Sequence, residues 1–301
     1  MKTGLLTTTD VSRMLKVNES TVKRWTDKGS LRCIKTPGGH RKYKMKDVMD
    51  FMDSFAYDVT DLMVPAAESV KSSVTVSTDY AILTKDFMAL SELFYNTMLQ
   101  GNRDAAYQFL HLLYANRITP VDLYDKVIVP SFTKIGLQWA AGEIGVEQEH
   151  LASNNALHAI FRLQEQVSKK PNHGGVALCG CLEGEYHEMG ITCVNNALEM
   201  NGWTTYYLGT NLPLESFVDA VENYMPDIIC ASTTTPSSQK SVIRQCGALF
   251  ETARIINAKL IVGGGIPEAL KKKLPAHFVP NSIAELLTFV ESLPRPAHKD
   301  V

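Results

Sequence analysis

Glu185-Tyr186-His187-Glu188-Met189-Gly190 follows an apolar run and opens into an amphipathic one. A histidine where a strand ends above a parallel sheet is placed to coordinate a metal held in the crevice there. A carboxylate two residues earlier can accept the second imidazole N–H, fixing the tautomer and raising the ring's basicity as a ligand. Gly190 lets something bulky pass close to the backbone. Alone, the hexapeptide is a weak signal, because a loop histidine beside acids is more often just solvated.

Two later strand ends change that reading. Asp227-Ile228-Ile229-Cys230-Ala231-Ser232 is a short apolar run ending in a hydroxyl residue and followed by Thr233, Thr234 and Thr235. Ala258-Lys259-Leu260-Ile261-Val262 runs into Gly263-Gly264-Gly265. Singly, these are an ordinary Ser/Thr-rich loop and a turn that needs positive φ. In the order His-x-x-Gly, Ser, Gly-Gly, they resemble the cobalamin-binding domain of corrinoid proteins from about Gly174 to Ser292. The resemblance implies a flavodoxin-like (Rossmann-like) parallel-sheet α/β domain with His187 on cobalt in place of the cofactor's own benzimidazole. Glu185, where most members have Asp, would support that ring. Gly190, Ser232, Thr234, Gly263 and Gly264 would line the path of the displaced nucleotide tail.

A chain of 301 residues has room for two or three domains with ample core. Its cysteines (Cys33, Cys179, Cys181, Cys193, Cys230 and Cys246) are scattered and mostly in apolar contexts, which fits free thiols in a reducing cytoplasm. Cys179 and Cys181 are expected on opposite faces of a strand, unable to share a metal. No secretory leader and no apolar run of membrane-spanning length is present, so a soluble, cytoplasmic protein is expected.

Charge is unevenly distributed. Residues 1–50 hold twelve Lys/Arg against five Asp/Glu, a formal +7, whereas the rest is −9 and the whole −2. A basic head on an acidic body suggests a polyanionic partner for the head. Its pattern agrees. Leu6-Thr7-Thr8-Thr9-Asp10 offers a cap before Val11, Met14 and Leu15, a turn-spaced apolar face. Val17-Asn18-Glu19 reads as a tight turn, and Ser20 is expected to cap a second helix carrying Val22, Lys23, Arg24 and Trp25. Leu31–Lys35, Thr36-Pro37-Gly38-Gly39 and His40-Arg41-Lys42-Tyr43 read as strand, turn and strand. A third helix begins at Met45. Thr7 to Phe51 resembles the winged-helix DNA-binding domain of the MerR superfamily, with a Gly-Gly-His-Arg wing. The resemblance implies operator DNA as partner, contacted by Arg24, His40 and Arg41, with Thr21, Lys23 and Tyr43 next. Mostly phosphate contacts and steep salt dependence would follow.

The expected division is a DNA-binding domain over residues 1–53, a linker over 54–85, a four-helix bundle over 86–170 and the α/β domain over 171–301. Pro65-Ala66-Ala67 and Ser69 to Ser77 carry the linker composition, with room for a short helix. The bundle helices are marked by Leu90, Leu93, Phe94 and Met98, then by Ala106, Phe109, Leu110 and Leu113. A third row runs through Val121, Leu123, Val127, Phe132, Ile135 and Leu137, and the fourth occupies Ile144 to Phe161. These rows are read as core.

Between helices three and four lies Trp139-Ala140-Ala141-Gly142-Glu143-Ile144-Gly145-Val146-Glu147-Gln148-Glu149-His150. Its plain reading is a core tryptophan and an acidic helix start. Its spacing resembles the capping bundle of light-responsive, adenosylcobalamin-binding repressors of the CarH/LitR type, extending the resemblance over nearly the entire chain. Trp139, Val146, Glu149 and His150 would then enclose the adenosyl group. Ala140 stands where the best-known members carry a histidine that binds cobalt after illumination, so their bis-histidine state does not carry over. Either His150 replaces it or water does.

The resemblance implies a transcription regulator, a repressor by default, and not an enzyme. Adenosylcobalamin would favour a homo-oligomer, a tetramer by resemblance, and light-driven loss of the adenosyl group would change oligomeric state and operator affinity. Two alternatives stay open: a corrinoid methyltransferase-type carrier protein, and a MerR-type regulator with a non-cobalamin ligand.

Overall fold

The computed structural model describes residues 5–15, 17–54, 74–100, 102–234 and 238–294. The head runs β1 (Leu6–Thr7), α1 (Thr8–Met14), α2 (Glu19–Asp27), β2 (Ile34–Lys35), β3 (Arg41–Tyr43) and α3 (Met45–Ser54). Thr7 caps α1 reciprocally: its Oγ1 accepts the Asp10 N–H at 3.1 Å while Asp10 Oδ2 accepts the Thr7 N–H at 2.7 Å. The cap of α2 is Asn18 rather than Ser20, and its side chain makes no cap bond. Antiparallel pairing gives the order β1-β3-β2, with Ile34 opposite Lys42 and Lys35 opposite Arg41. The strand expected from Leu31 is thus confined to two residues, because Leu31 instead turns into the core with Val11, Leu15, Val22 and Val48.

Residues 55–73, including the Pro65-Ala66-Ala67 linker signal, lie outside the described residues. Within the remaining expected linker, α4 (Val74–Leu83) is helical. Leu83 packs into the head core while Ala81 and Ile82 join the next core along the chain. An Arg117–Asp50 ion pair adds a second bridge between the two regions.

The helical region comprises α5 (Phe87–Leu99), α6 (Arg103–Ala115), α7 (Pro120–Asp122), a π-helical segment (Leu123–Ile128), α8 (Val129–Ala140) and α9 (Val146–Gln164). Side chains of Asp86, Asn102 and Thr119 accept backbone N–H groups at the starts of α5, α6 and α7. Leu90, Phe94, Met98, Ala106, Leu110, Leu113, Leu123, Val127, Ile135, Ala156 and Ile160 fill the interior. Leu137 does not belong to that row: it is 67% exposed. Two positions beyond Ile135 a helix has turned about 200°, which points the side chain outward.

The α/β region runs β4 (Val176–Cys181), α10 (Met189–Met200), β5 (Thr204–Gly209), α11 (Leu214–Tyr224), β6 (Ile228–Ser232), α12 (Gln239–Ile255), β7 (Lys259–Gly263), α13 (Glu268–Lys271) and α14 (Ile283–Ser292). All strand pairs are parallel, in the order β5-β4-β6-β7. The first strand of the sheet therefore lies inside it, and the chain reverses direction of winding between β4 and β6. That is the switch point where a doubly wound sheet opens a crevice at its carboxyl edge.

Alternation along the strands assigns the two faces. Ala177, Cys179, Cys181, Ile228, Cys230 and Ile261 share one core with α10, α14 and the helical region. Leu178, Leu182, Ile229, Ala231, Leu260 and Val262 share the other with α11 and α12. Cys179 and Cys181 thus lie on the same face, contrary to expectation, since side chains two positions apart in a strand point the same way. Among the described residues no cluster of three or more His, Cys, Asp or Glu is arranged to hold a metal by itself. Among them, too, no helix is long and apolar enough to cross a membrane.

Candidate functional site: the crevice above β4 and β6

The β4–α10 loop sits at the switch point. Glu185 is buried, and its carboxylate is surrounded by N–H groups. Oε1 accepts the His187 backbone N–H at 2.7 Å and lies 2.6 Å from His187 Nδ1. Oε2 accepts the backbone N–H of Thr234, in the loop after β6. One carboxylate therefore ties together the two loops that flank the crevice, and burial is tolerable because both oxygens are hydrogen-bonded. With Nδ1 donating to Glu185, the neutral ring keeps its lone pair on Nε2. The His187 side chain is 63% exposed. A tautomer fixed by a carboxylate, on an otherwise exposed imidazole, is the donor arrangement a metal requires.

Other groups brace the same loop. Glu188 Oε1 accepts the Tyr207 hydroxyl at 2.9 Å, and Tyr207 in turn lies 2.9 Å from Thr192 Oγ1. Burial first, with the adjacent Glu188 charge adding, pushes the Tyr207 phenol well up, so it stays protonated as a donor. Cys181 Sγ donates to the His187 carbonyl at 3.7 Å. Burial, followed by the Glu185 charge, pushes its thiol up to about 12, which makes it a structural group rather than a nucleophile.

The glycines divide by role. At Gly264, with φ +115°, a Cβ would lie 2.1 Å from the Thr233 carbonyl oxygen, so β7 can pass the β6 loop only without a side chain. At Gly263 a Cβ would meet nothing within 4 Å, and at Gly190 only Ser232 Oγ, at 3.9 Å. Gly263 therefore leaves open space at the end of β7, and Gly190 leaves room against the buried Ser232. An exposed imidazole on the β4–α10 loop, together with open space at Gly263 by the end of β7, fits a corrin with a nucleotide tail.

Trp139 lies in the last turn of α8, and Val146, Glu149 and His150 in the first turns of α9. Trp139 is 51% exposed and Val146 is exposed too. Glu149 accepts from Ser153 Oγ at 2.7 Å, and its other oxygen lies 3.6 Å from His150 Nε2. Trp139 is thus no core anchor. Among the described residues no hydrogen bond or ion pair links this group to the His187 loop.

In the head, a groove of about 510 Å³ separates α2 from the β2–β3 hairpin and is lined by Thr7, Glu19, Lys23, His40 and Arg41 among others. Arg24 and His40 are exposed, and Thr21 is partly so. Lys23 pairs with Glu19 at 3.5 Å, and Arg41 with Asp27 at 2.7 Å. Arg41 therefore ties the hairpin to α2. Tyr43, expected at a DNA surface, is fully buried and shares a 3.0 Å hydrogen bond with Thr26 Oγ1. As the inward residue of the central strand it belongs to the core, and its ring cannot reach a duplex.

Sequence reasoning missed Tyr207, Asn211 and Gln245 around the loop. Only Asn211, following Gly209-Thr210, carried a local turn signal. Gln245 sits in mid-helix, where nothing in the local pattern marks it.

Residues 175–279 match the family model described as "B12 binding domain", and residues 90–164 match a second model of the same description. Residues 5–55 match the model of a helix-turn-helix domain. The dimethylamine corrinoid protein of Methanosarcina barkeri is 24% identical over 152 residues, 49% of this chain and 70% of that protein. Trimethylamine corrinoid protein 1 of Methanosarcina acetivorans is 25% identical over 183 residues, 58% of this chain and 83% of that protein. Among solved structures, the monomethylamine corrinoid protein of Methanosarcina barkeri superposes with a TM-score of 0.58 at 18% identity, covering 67% of this chain and 97% of that one, a likeness of fold. Together the matches support a cobalamin-binding, regulator-like architecture.

Proposed function

We propose that this chain, which joins B12-binding domains to an N-terminal helix-turn-helix domain, is a DNA-binding regulator that senses adenosylcobalamin. The observation that carries the reading is the Glu185–His187 pair at the switch point, with Nδ1 held at 2.6 Å, which would leave the Nε2 lone pair to ligate cobalt. His187 would be the lower ligand, with Gly190, Ser232, Thr234, Gly263 and Gly264 beside the nucleotide tail. Trp139, Val146, Glu149 and His150 would enclose the upper group. When bound, adenosylcobalamin supplies a light-cleavable cobalt–carbon bond and a bulky group for the helical cap to pack on.

A ligand shifts an assembly equilibrium only by binding one state more tightly. The exposed Trp139 and Val146 have apolar surface to gain from an adenosyl group and lose that gain with it. Light would thus bias the cap, and with it a homo-oligomer whose several winged-helix heads bind repeated operator sites by avidity. Within each head, Arg24, His40 and Thr21 would face DNA, with Lys23 and Arg41 shared between DNA and their acidic partners. Repression is the expected sense. Ala140 has no ligand atom, so the illuminated state would not be locked by a histidine at that position.

The test loads purified protein with adenosylcobalamin in darkness. Its mass and its affinity for a duplex recovered by in vitro selection are then measured before and after green light. A lower mass and weaker DNA binding after illumination are expected, and unchanged values would refute the light switch. A His187→Ala protein with an unaltered bound-cofactor spectrum would refute histidine ligation.

A second reading, a methyl-group carrier, is favoured by the methylamine corrinoid proteins among the relatives. It predicts no specific DNA affinity and a functional partnership with a methyltransferase. The +7 head, fused to a helix-turn-helix match, favours the regulator.

A further inference from the structure

The β4–α10 loop has no regular secondary structure between Glu183 and Glu188, yet hydrogen bonds hold its backbone at Glu183, Gly184 and Glu185. The side chain of Gln245, buried in α12, grips Glu183 from both sides: Oε1 accepts the Glu183 N–H at 2.9 Å and Nε2 donates to the Glu183 carbonyl at 3.3 Å. Nε2 also donates to Ser241 Oγ at 3.1 Å. Asn211, in the β5–α11 loop, takes the next two residues. Its Oδ1 accepts the Gly184 N–H at 2.8 Å, and its own N–H donates to the Glu185 carbonyl at 2.8 Å. Asn211 holds this position at φ +50°, opposite Gly184 at φ +87°. The Glu185 N–H closes onto the Leu182 carbonyl at 3.0 Å.

Packing gives no other reason for an amide at position 245. Its helix neighbours Val242, Cys246 and Leu249 are buried and apolar. A buried glutamine in such surroundings is tolerated only when its polar atoms are paired, and two of its three bonds go to the loop. We infer that Gln245 and Asn211 are positioning residues for His187, holding the 183–185 backbone in ligand-ready shape before a cobalamin arrives. The inference rests on reading His187 as the cobalt ligand. Its physical basis is preorganisation: a loop ordered in advance does not lose its conformational entropy at the binding step.

The experiment titrates cob(II)alamin into uniformly 15N-labelled protein, following affinity together with the nitrogen splitting in the electron paramagnetic resonance spectrum. The label distinguishes a protein nitrogen from that of the cofactor's benzimidazole. Wild type should show protein-nitrogen splitting and His187→Ala should not; absence of the splitting in wild type would sink the ligation reading itself. Given that splitting, Gln245→Leu and Asn211→Gly should each weaken binding about tenfold or more, the latter keeping positive φ accessible. In a His187→Ala background the same changes should have little further effect, because they act through that ring. Equal affinity of the loop variants and wild type would overturn the inference. So would an undiminished loss in the His187→Ala background, the mark of a merely structural role. Should Gln245→Leu fail to fold, Asn211→Gly decides by the same two comparisons.

Discussion

Asp125 in the π-helical segment accepts the backbone N–H of Ile283, 158 positions later, at 2.9 Å, and its second oxygen accepts that of Ala284 at 3.0 Å. A side chain of the helical region thus caps α14 of the α/β region, meeting the positive end of that helix. The π-helix places Tyr124 beside it, fully buried in the core shared by both regions.

Asp125→Ala should therefore loosen the two regions rather than merely fray one helix. Loss of a partly buried acceptor of two N–H bonds is expected to reduce stability by about 1–3 kcal/mol. Hydrogen exchange should accelerate at Ile283 and Ala284 before it does in the sheet. Unchanged protection at those two amides would contradict the role of Asp125.

Gly264→Ala tests the close passage of β7 by the β6 loop. A Cβ 2.1 Å from the Thr233 oxygen, at φ +115°, cannot be accommodated without moving backbone. A loss of about 2 kcal/mol or more is expected, measurable as a lower urea midpoint. Gly263→Ala, with nothing within 4 Å, should unfold near the wild-type midpoint and instead affect cobalamin binding.

In the head, two substitutions should separate support from contact. Tyr43→Phe removes the hydroxyl shared with Thr26 and is expected to cost about 1 kcal/mol of stability, leaving the salt dependence of DNA binding unchanged. Arg24→Ala should leave the melting temperature nearly constant and lower the salt slope by about 1. Binding isotherms at several salt concentrations, paired with thermal melts, check both.

His277 links stability to pH. Its Nδ1 accepts the Leu260 N–H at 2.9 Å. Burial, and secondarily the Lys259 charge, hold its imidazole below the usual range. The folded protein binds this proton less readily than the unfolded chain does. The associated stability is thus complete above about pH 6.5 and is lost as pH falls through the lowered folded value. A His277→Gln protein should show a shallower decline over that window in urea midpoints measured against pH.

Local pattern sufficed wherever the physics is local. The Leu6–Asp10 stretch offered a hydroxyl or Asp cap for the first helix, and Thr7 supplies it, with Asp10 three residues on returning the bond. The apolar rows around Leu90, Leu110 and Ile135 follow helical period, the ends of β6 and β7 were marked by Ser232 and Gly263, and His187 marked the loop that follows β4. The head's excess positive charge was likewise visible before any fold.

Only the tertiary structure decided that Glu185 reaches Thr234, 49 positions away, because that meeting requires β6 to lie beside β4 while β5 takes the other side. It likewise buried Tyr43, turned Trp139 and Leu137 outward, and set Gln245 and Asp125 against distant backbone. Periodicity records which face of an element is apolar. A single polar bond between elements leaves no period behind, so its partner is fixed by the order in which strands and helices pack.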